Sequence, residues 1–117
     1  MNHLKATRIE HARSLSFVDG VWMIVEMIPE GRVLGYGHLA ALLGYPNHAR
    51  QAGFALSKCP SNRQAPWWRV IRSDGSIPNH GNPIKNEEHR SILQREQVIF
   101  KGSKVNMRRS KWNPTIL

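Results

Sequence analysis

Two short apolar-faced segments, separated by Gly44-Tyr45-Pro46, constrain the fold of this chain more than any other feature. Before the break, Leu39, Leu42 and Leu43 fall on one face of a short helix expected over His38–Leu43. The break itself cannot continue a helix, because glycine is conformationally loose and proline lacks a backbone N–H. After it, Asn47 is a good N-cap for a second helix running to about Lys58. There Ala49, Ala52, Gly53 and Leu56 recur at i, i+3, i+4, i+7 spacing, small enough for close packing, while His48, Arg50 and Gln51 form the polar face. Two helices joined by so short a turn make a helix-turn-helix.

The flanking segments read as one small domain around that unit. Phe17–Ile28 is expected to be a mostly buried helix, capped by Asp19 and ended by Pro29 and Gly31. Gly35-Tyr36-Gly37 is a turn entering the first helix of the pair. Trp68–Arg72 reads as a strand, Asp74-Gly75 as a tight turn and Ser76-Ile77 as a return strand, together a small wing. A Pro/Gly/Asn-rich loop follows over Ser76–Asn86, then a helix over about Glu87–Gln97. Residues 1–16 read as an ordinary terminal extension and 17–117 as the domain, in a chain long enough for a single core. The fold class is α+β, mostly helical, a winged helix-turn-helix.

Charge narrows the choice of partner. Seventeen Lys/Arg against eight Asp/Glu give +9 at pH 7. Between Glu30 and Asp74 there is no acidic residue, yet Arg32, Arg50, Lys58, Arg63, Arg69 and Arg72 all fall there. A second acid-free run after Glu96 holds Lys101, Lys104, Arg108, Arg109 and Lys111. Two such runs, one spanning the helix-turn-helix, fit the footprint of a polyanion. The longest apolar run, Val21–Val25, is too short to span a bilayer, and no secretory signal pattern opens the chain. An intracellular protein is expected, at the nucleoid in the cytoplasm of a bacterial host or in the nucleus of a eukaryotic one. One cysteine excludes an internal disulfide. His3, His11, His38, His48, His80 and His89 show no paired i, i+4 spacing and no Cys companions, so neither a metal nor another cofactor is expected.

The segment Pro66-Trp67-Trp68-Arg69-Val70 resembles the Pro-Cys-His-Arg-Val motif of O6-alkylguanine-DNA alkyltransferases. Ile28–Gly37 resembles that family's Ile-Pro-x-Gly-x-Val-x-x-Tyr-Gly segment, and Leu39–Gly53 its helix-turn-helix ending in Ala-Arg-Gln-x-Gly. Ile92–Val98 resembles the family's final helix, and Trp112-Asn113-Pro114 the ending of alkyltransferase-like proteins, the branch that binds the lesion without repairing it. The family's Cys takes the alkyl group from guanine. Trp67 stands in its place, and an indole is no alkyl-accepting nucleophile of that kind. Trp68 replaces the His that serves as base, so the catalytic pair is lost twice and Glu96, matching the carboxylate that orients that His, has no such role left. Arg72 stands where the family commonly has Asn.

What the resemblance implies for single residues can be set beside their plainer readings. Arg50 matches the arginine finger that fills the space of an extruded nucleotide, a task suited to a planar, permanently charged guanidinium; otherwise it is a solvated helix residue. Tyr36 matches the Tyr that presses on a phosphate and rotates the nucleotide; otherwise it packs on the core. Ala49, Gln51 and Gly53 complete the recognition sequence, and Lys104 and Arg108 are expected to meet phosphates. Pro66, Trp67, Val70, Ser76 and His80 are the implied lesion pocket, with Trp67 its apolar wall, Val70 offering a backbone carbonyl, and His80 either a loop histidine or the polar group over the base. Arg69 is expected to tie the motif to neighbouring structure, and Cys59, with no His at motif spacing, to be structural or incidental.

The function implied is a monomeric, non-enzymatic sensor. It binds double-stranded DNA containing O6-alkylguanine, flips the damaged base into a pocket, and flags it for nucleotide excision repair proteins. The alternative from another class is a winged-helix transcription regulator reading sequence in the major groove. Either way the acid-free footprint makes a salt prediction. Neutralising four to six phosphates gives a log–log slope of affinity against salt of about −4 to −5. A slope near zero would refute the footprint.

Overall fold

In the computed structural model, residues 2–114 are described, with side chains from residue 7 onward, so the His3 side chain and the domain's last residues, 115–117, lie outside it. Six helices occur among these residues: α1 (Asn2–Ser14), α2 (Phe17–Met27), α3 (Tyr36–Leu42), α4 (Ala49–Ser57), α5 (Pro83–Arg95) and α6 (Met107–Ser110). Four two-residue strands accompany them: β1 (Leu34–Gly35), β2 (Val70–Ile71), β3 (Phe100–Lys101) and β4 (Lys104–Val105). The α+β, mostly helical class is as expected.

Residues 1–16 are more than a terminal extension. Helix α1 packs on α2, with Ile9 and Ala12 buried in the same core as Val21, Ile24 and Val25. Its polar residues masked that contribution, since only two side chains are needed to anchor it. Ser16, rather than Asp19, caps α2: its Oγ accepts from the Asp19 N–H at 3.1 Å and donates to the Asp19 carboxylate. The contact between the two helices is made possible by Gly20. A β-carbon there would lie 2.7 Å from the Ala12 carbonyl oxygen and 2.9 Å from Leu43.

The helix-turn-helix forms where expected, though its turn is built differently. Gly44 ends α3 in the left-handed region (φ 88°), and the Tyr45 and Gly44 N–H groups return to the carbonyls of Ala40 and Ala41. This is the usual glycine-terminated helix end. Asn47 does not cap α4. It takes φ 71°, a conformation Asn tolerates better than most residues, and so turns the chain before His48 begins the helix.

The expected wing over Trp68–Ile77 is absent. Trp67–Arg69 is a 3-10 turn, and β2 pairs in parallel with β1, Leu34 opposite Val70 and Gly35 opposite Ile71. Both β2 side chains are buried, one on each face: Val70 joins the core of α1–α4, Ile71 a second core with Val33, Leu93, Val98 and Val105. A strand enclosed on both faces suits a buried place beside β1, not an exposed hairpin. The turn at Asp74-Gly75 does form, but Ser76 folds back onto the Asp74 carboxylate and no strand follows. The antiparallel hairpin lies later, in β3–β4. Helix α5 begins at Pro83, four residues before the expected start, because Asn82 caps it by accepting from the Ile84 N–H and Pro83 suits the first position. Trp112 is buried, and its N–H bonds the Val33 carbonyl at 2.7 Å, holding the chain's end against β1.

Substituting Gly20→Ala forces a methyl onto backbone in the α1–α2 contact, so a destabilisation of about 1–3 kcal/mol is expected in urea unfolding. Unchanged stability would show that the two helices do not approach this closely.

Candidate functional site

A cavity of about 710 Å³ opens beside α4. Tyr36, at the start of α3, and Gly53, Leu56 and Ser57 of α4 form one part of its wall; Trp67, Trp68 and His80 form another. Cys59, Ala65 and Lys85 also border it. A space of this size is in the range of small-molecule sites and holds a nucleobase with room to spare. The Tyr36 ring lies against Gly53, where an added β-carbon would sit 3.5 Å away and occupy cavity space. Burial raises the Tyr36 hydroxyl above its ordinary pKa, so it stays protonated and able to donate.

One of the two indoles, that of Trp68, is held by a carboxylate. Glu96 accepts from the Trp68 Nε1–H at 2.8 Å and from Arg69 at 2.9 and 2.8 Å through both oxygens, while Arg69 also donates to the Ile28 carbonyl at 2.8 Å. Glu96 is therefore occupied by the very residue that replaces the motif's His. Burial alone raises its pKa, but the hydrogen bonds from Arg69 and Trp68 and the Arg69 charge outweigh that and hold the carboxyl below its usual range. Trp67, by contrast, is 38% exposed. It stands edge-on to Trp68 and to two histidines, His80 and His89, at centroid distances of 5.1–6.1 Å. Two adjacent tryptophans in a strand would face opposite sides. Both border the cavity, because a 3-10 turn does not alternate faces as a strand does.

Of the residues assigned to a lesion pocket, Trp67 and His80 line this cavity. Pro66 and Val70 are buried behind it, Val70 wholly in the core. Ser76 is removed from it and bonded to Asp74. Cys59, read as structural or incidental, lies at the wall. Desolvation raises its thiol pKa, an effect that Arg63 opposes and Glu26 reinforces, and so disfavours the reactive thiolate. His89, fully buried, was not legible as a site residue; an isolated histidine among helix-forming polar residues carries no local signal.

Among the cations, Arg50 and Gln51 are exposed on α4, and Arg50 makes no hydrogen bond or ion pair among the described residues. Ala49 is half-buried. Lys104 reaches Asp74 at 3.4 Å, both exposed. The pKa of that carboxyl is lowered to about 2, chiefly by the Ser76 hydroxyl and N–H, and an exposed pair of this kind holds Lys104 only weakly. Arg108 is exposed on α6. No group of three or more His, Cys, Asp or Glu suited to a metal occurs among the described residues.

Fold and site together define a small helix-turn-helix domain with a tryptophan-walled cavity beside its second helix. A sequence profile of the 6-O-methylguanine DNA methyltransferase DNA binding domain matches residues 16–98, and the chain belongs to that family. It is 34% identical over 98 residues to a DNA base-flipping protein of Vibrio parahaemolyticus, covering 84% of this chain and 97% of that one. It is 39% identical over 99 residues to a DNA base-flipping protein of Escherichia coli, covering 84% of this chain and 75% of the other. The crystal structure of S. pombe Atl1 in complex with damaged DNA containing O6-carboxymethylguanine aligns with a TM-score of 0.74 at 32% identity, over 84% of this chain and 95% of Atl1. This likeness establishes the winged helix-turn-helix fold.

The Arg69–Glu96 pair gives a stability prediction. Arg69→Ala leaves a mostly buried carboxylate unpaired and should cost about 3 kcal/mol in chemical denaturation. Because the folded-state pKa of Glu96 is depressed, its contribution is present above the unfolded value of about 4.3 and lost as pH falls through the lower folded one. Wild type should lose this increment on acidification, and Arg69→Ala should lack it. Equal acid sensitivity in both proteins would contradict the assignment.

Proposed function

We propose that this protein binds duplex DNA containing O6-alkylguanine, extrudes the damaged base into the cavity beside α4, and holds it there without alkyl transfer. The observation that carries the reading is the position of Trp67. It occupies the acceptor position of the family motif, and its exposed indole walls the cavity. An indole there offers a broad apolar surface to an alkylated purine and no sulfur to receive the alkyl group. Arg50, exposed on α4 and without a hydrogen bond or ion pair among the described residues, enters the duplex and fills the gap in the stack. Tyr36, on the cavity wall at the start of α3, meets the phosphate of the rotating nucleotide.

The duplex is approached from the minor groove, with Lys104 and Arg108 on phosphates. In the cell the protein acts as a monomer at the nucleoid or in the nucleus, according to host, and the bound complex is read by nucleotide excision repair proteins. The cavity favours a lesion sensor over a transcription regulator, which has no need of a base-sized space beside its recognition helix.

Matched duplexes with guanine or O6-methylguanine test the reading by gel shift, with a preference of at least twofold for the lesion as the minimum. A labelled methyl group should stay entirely on DNA; stoichiometric label on the protein, above all at Cys59, would overturn the non-enzymatic reading. Lys104→Ala and Arg108→Ala should weaken damaged and undamaged binding alike, since phosphate contacts carry little lesion information. Arg50→Ala should instead erase most of the lesion preference, because unstacking a base costs on the order of a few kcal/mol that the finger offsets. Full discrimination by Arg50→Ala would leave Arg50 a surface cation.

A further inference from the structure

Arg50 shares its face of α4 with an aromatic side chain to which base holding gives no task. Phe54 follows Arg50 by four residues, so it lies over the same side of the helix one turn further along. It is 66% exposed and belongs to neither core. It also stands outside the cavity wall, although Gly53 before it and Ser57 after it line that wall. Lys58 lies over its ring, with Nζ 4.9 Å from the ring centre.

A single exposed apolar residue is ordinary on a protein surface. What distinguishes Phe54 is its company. Arg50, Gln51 and Lys58 are exposed around it, in a stretch without an acidic residue from Arg32 to Ser73. The opposite side of α4, with Ala52, Ala55 and Leu56, is buried. The helix therefore presents an apolar ring along its crest with cations beside it. A duplex groove offers the complement: phosphates along its walls, and sugar and base carbon between them. Lys58, drawn to a phosphate, would leave the ring facing the groove floor.

We propose that Phe54 is an apolar wedge, whose ring enters the minor groove beside Arg50, opens a base step and bends the duplex away from α4. The proposal rests on the reading above, in which α4 enters that groove, and adds a second point of distortion to the one Arg50 makes. Four helical residues advance about 6 Å, and base pairs stack about 3.4 Å apart, so the opened step lies about two from the gap that Arg50 fills. A step opened there weakens the stacking that holds the target base, which eases its extrusion. Because a phenyl ring reads no hydrogen-bond pattern, the wedge acts on undamaged DNA as on damaged.

The test uses the full-length protein with guanine and O6-methylguanine duplexes carrying a dye at each end. Phe54→Ala should weaken binding to both by roughly fivefold to fiftyfold, the loss that follows removal of an aromatic contact to a base. Energy transfer between the dyes should show the bend falling by about 20° or more. Phe54→Leu, which keeps an apolar wedge, should retain most of the affinity and most of the bend. The salt dependence separates this contact from charge: Phe54→Ala should leave the log–log slope unchanged, and Lys58→Ala should reduce it by about one. Urea unfolding of each variant should match wild type, since an exposed ring contributes little core burial. Wild-type affinity in Phe54→Ala overturns the proposal, as does lost affinity with an unchanged bend, a Phe54→Leu protein no better than Phe54→Ala, or a fall in stability that accounts for the lost binding. If the wild-type protein shows no preference for the lesion, the base-holding reading fails, while the guanine duplex still decides the wedge.

Discussion

The clasp of Arg69 on Glu96 is the interaction on which the site depends. It joins the tryptophan turn, the end of α5 and, through the Ile28 carbonyl, the end of α2. These segments are far apart in sequence and share no sheet ladder at that point. A mostly buried, bidentate ion pair gains its value from satisfied geometry, since each charge left alone in that environment is costly. Here every strong donor of Arg69 that faces inward finds an acceptor, and the carboxylate is shared with the Trp68 indole. The clasp thus fixes the backbone from which Trp67 projects.

The same carboxylate explains how the motif accommodates its altered residue. A histidine there would present a ring N–H to Glu96. Trp68 also presents a ring N–H, at 2.8 Å, so the hydrogen bond survives while the capacity to take a proton does not. The substitution removes base chemistry from the site without leaving a buried carboxylate oxygen unpaired. Trp67 is under no such restraint. Its indole nitrogen has no hydrogen-bond partner among the described residues, and its ring is packed edge-on by Trp68, His80 and His89, so it forms a wall rather than a hinge. Opposite chemistry is demanded of neighbours in sequence, one an anchor and the other a surface, and the 3-10 turn allows both to border one cavity.

The cavity and the helix-turn-helix are coupled through α4. Gly53, Leu56 and Ser57 line the space, while Arg50 and Gln51, on the same helix, face outward. The exposed Arg50 and the cavity are thereby kept in fixed relation by one rigid element, with Tyr36 packed against Gly53. Positioning of this kind is more accurate on a helix than on a loop.

Much of this was legible from residue order alone. The Leu39–Leu43 and Ala49–Leu56 periodicities marked both helices, and Gly44 marked the end between them, because helical spacing and left-handed glycine are local properties. The Pro66–Val70 motif marked a segment that borders the cavity and itself carries no cysteine. Arg69 was rightly expected to tie the motif down. The rest needed the tertiary structure, since it depends on which surfaces meet. Val70-Ile71 reads as part of a hairpin, and only its pairing with β1 and a core on each face made it parallel and buried. Asn47 and Asp19 are both able caps, yet the chain path took one into a left-handed turn and gave the other's task to Ser16. A polar α1 gains its place through two buried side chains, and His89 meets its partners, a carbonyl and a second histidine, only because folding brings them to it. Sequence determined which chemistry the chain can and cannot carry, because that resides in side-chain identity. Tertiary structure decided which of those side chains share a cavity, because burial, hydrogen-bond geometry and proton placement are properties of neighbours that the chain brings together only when folded.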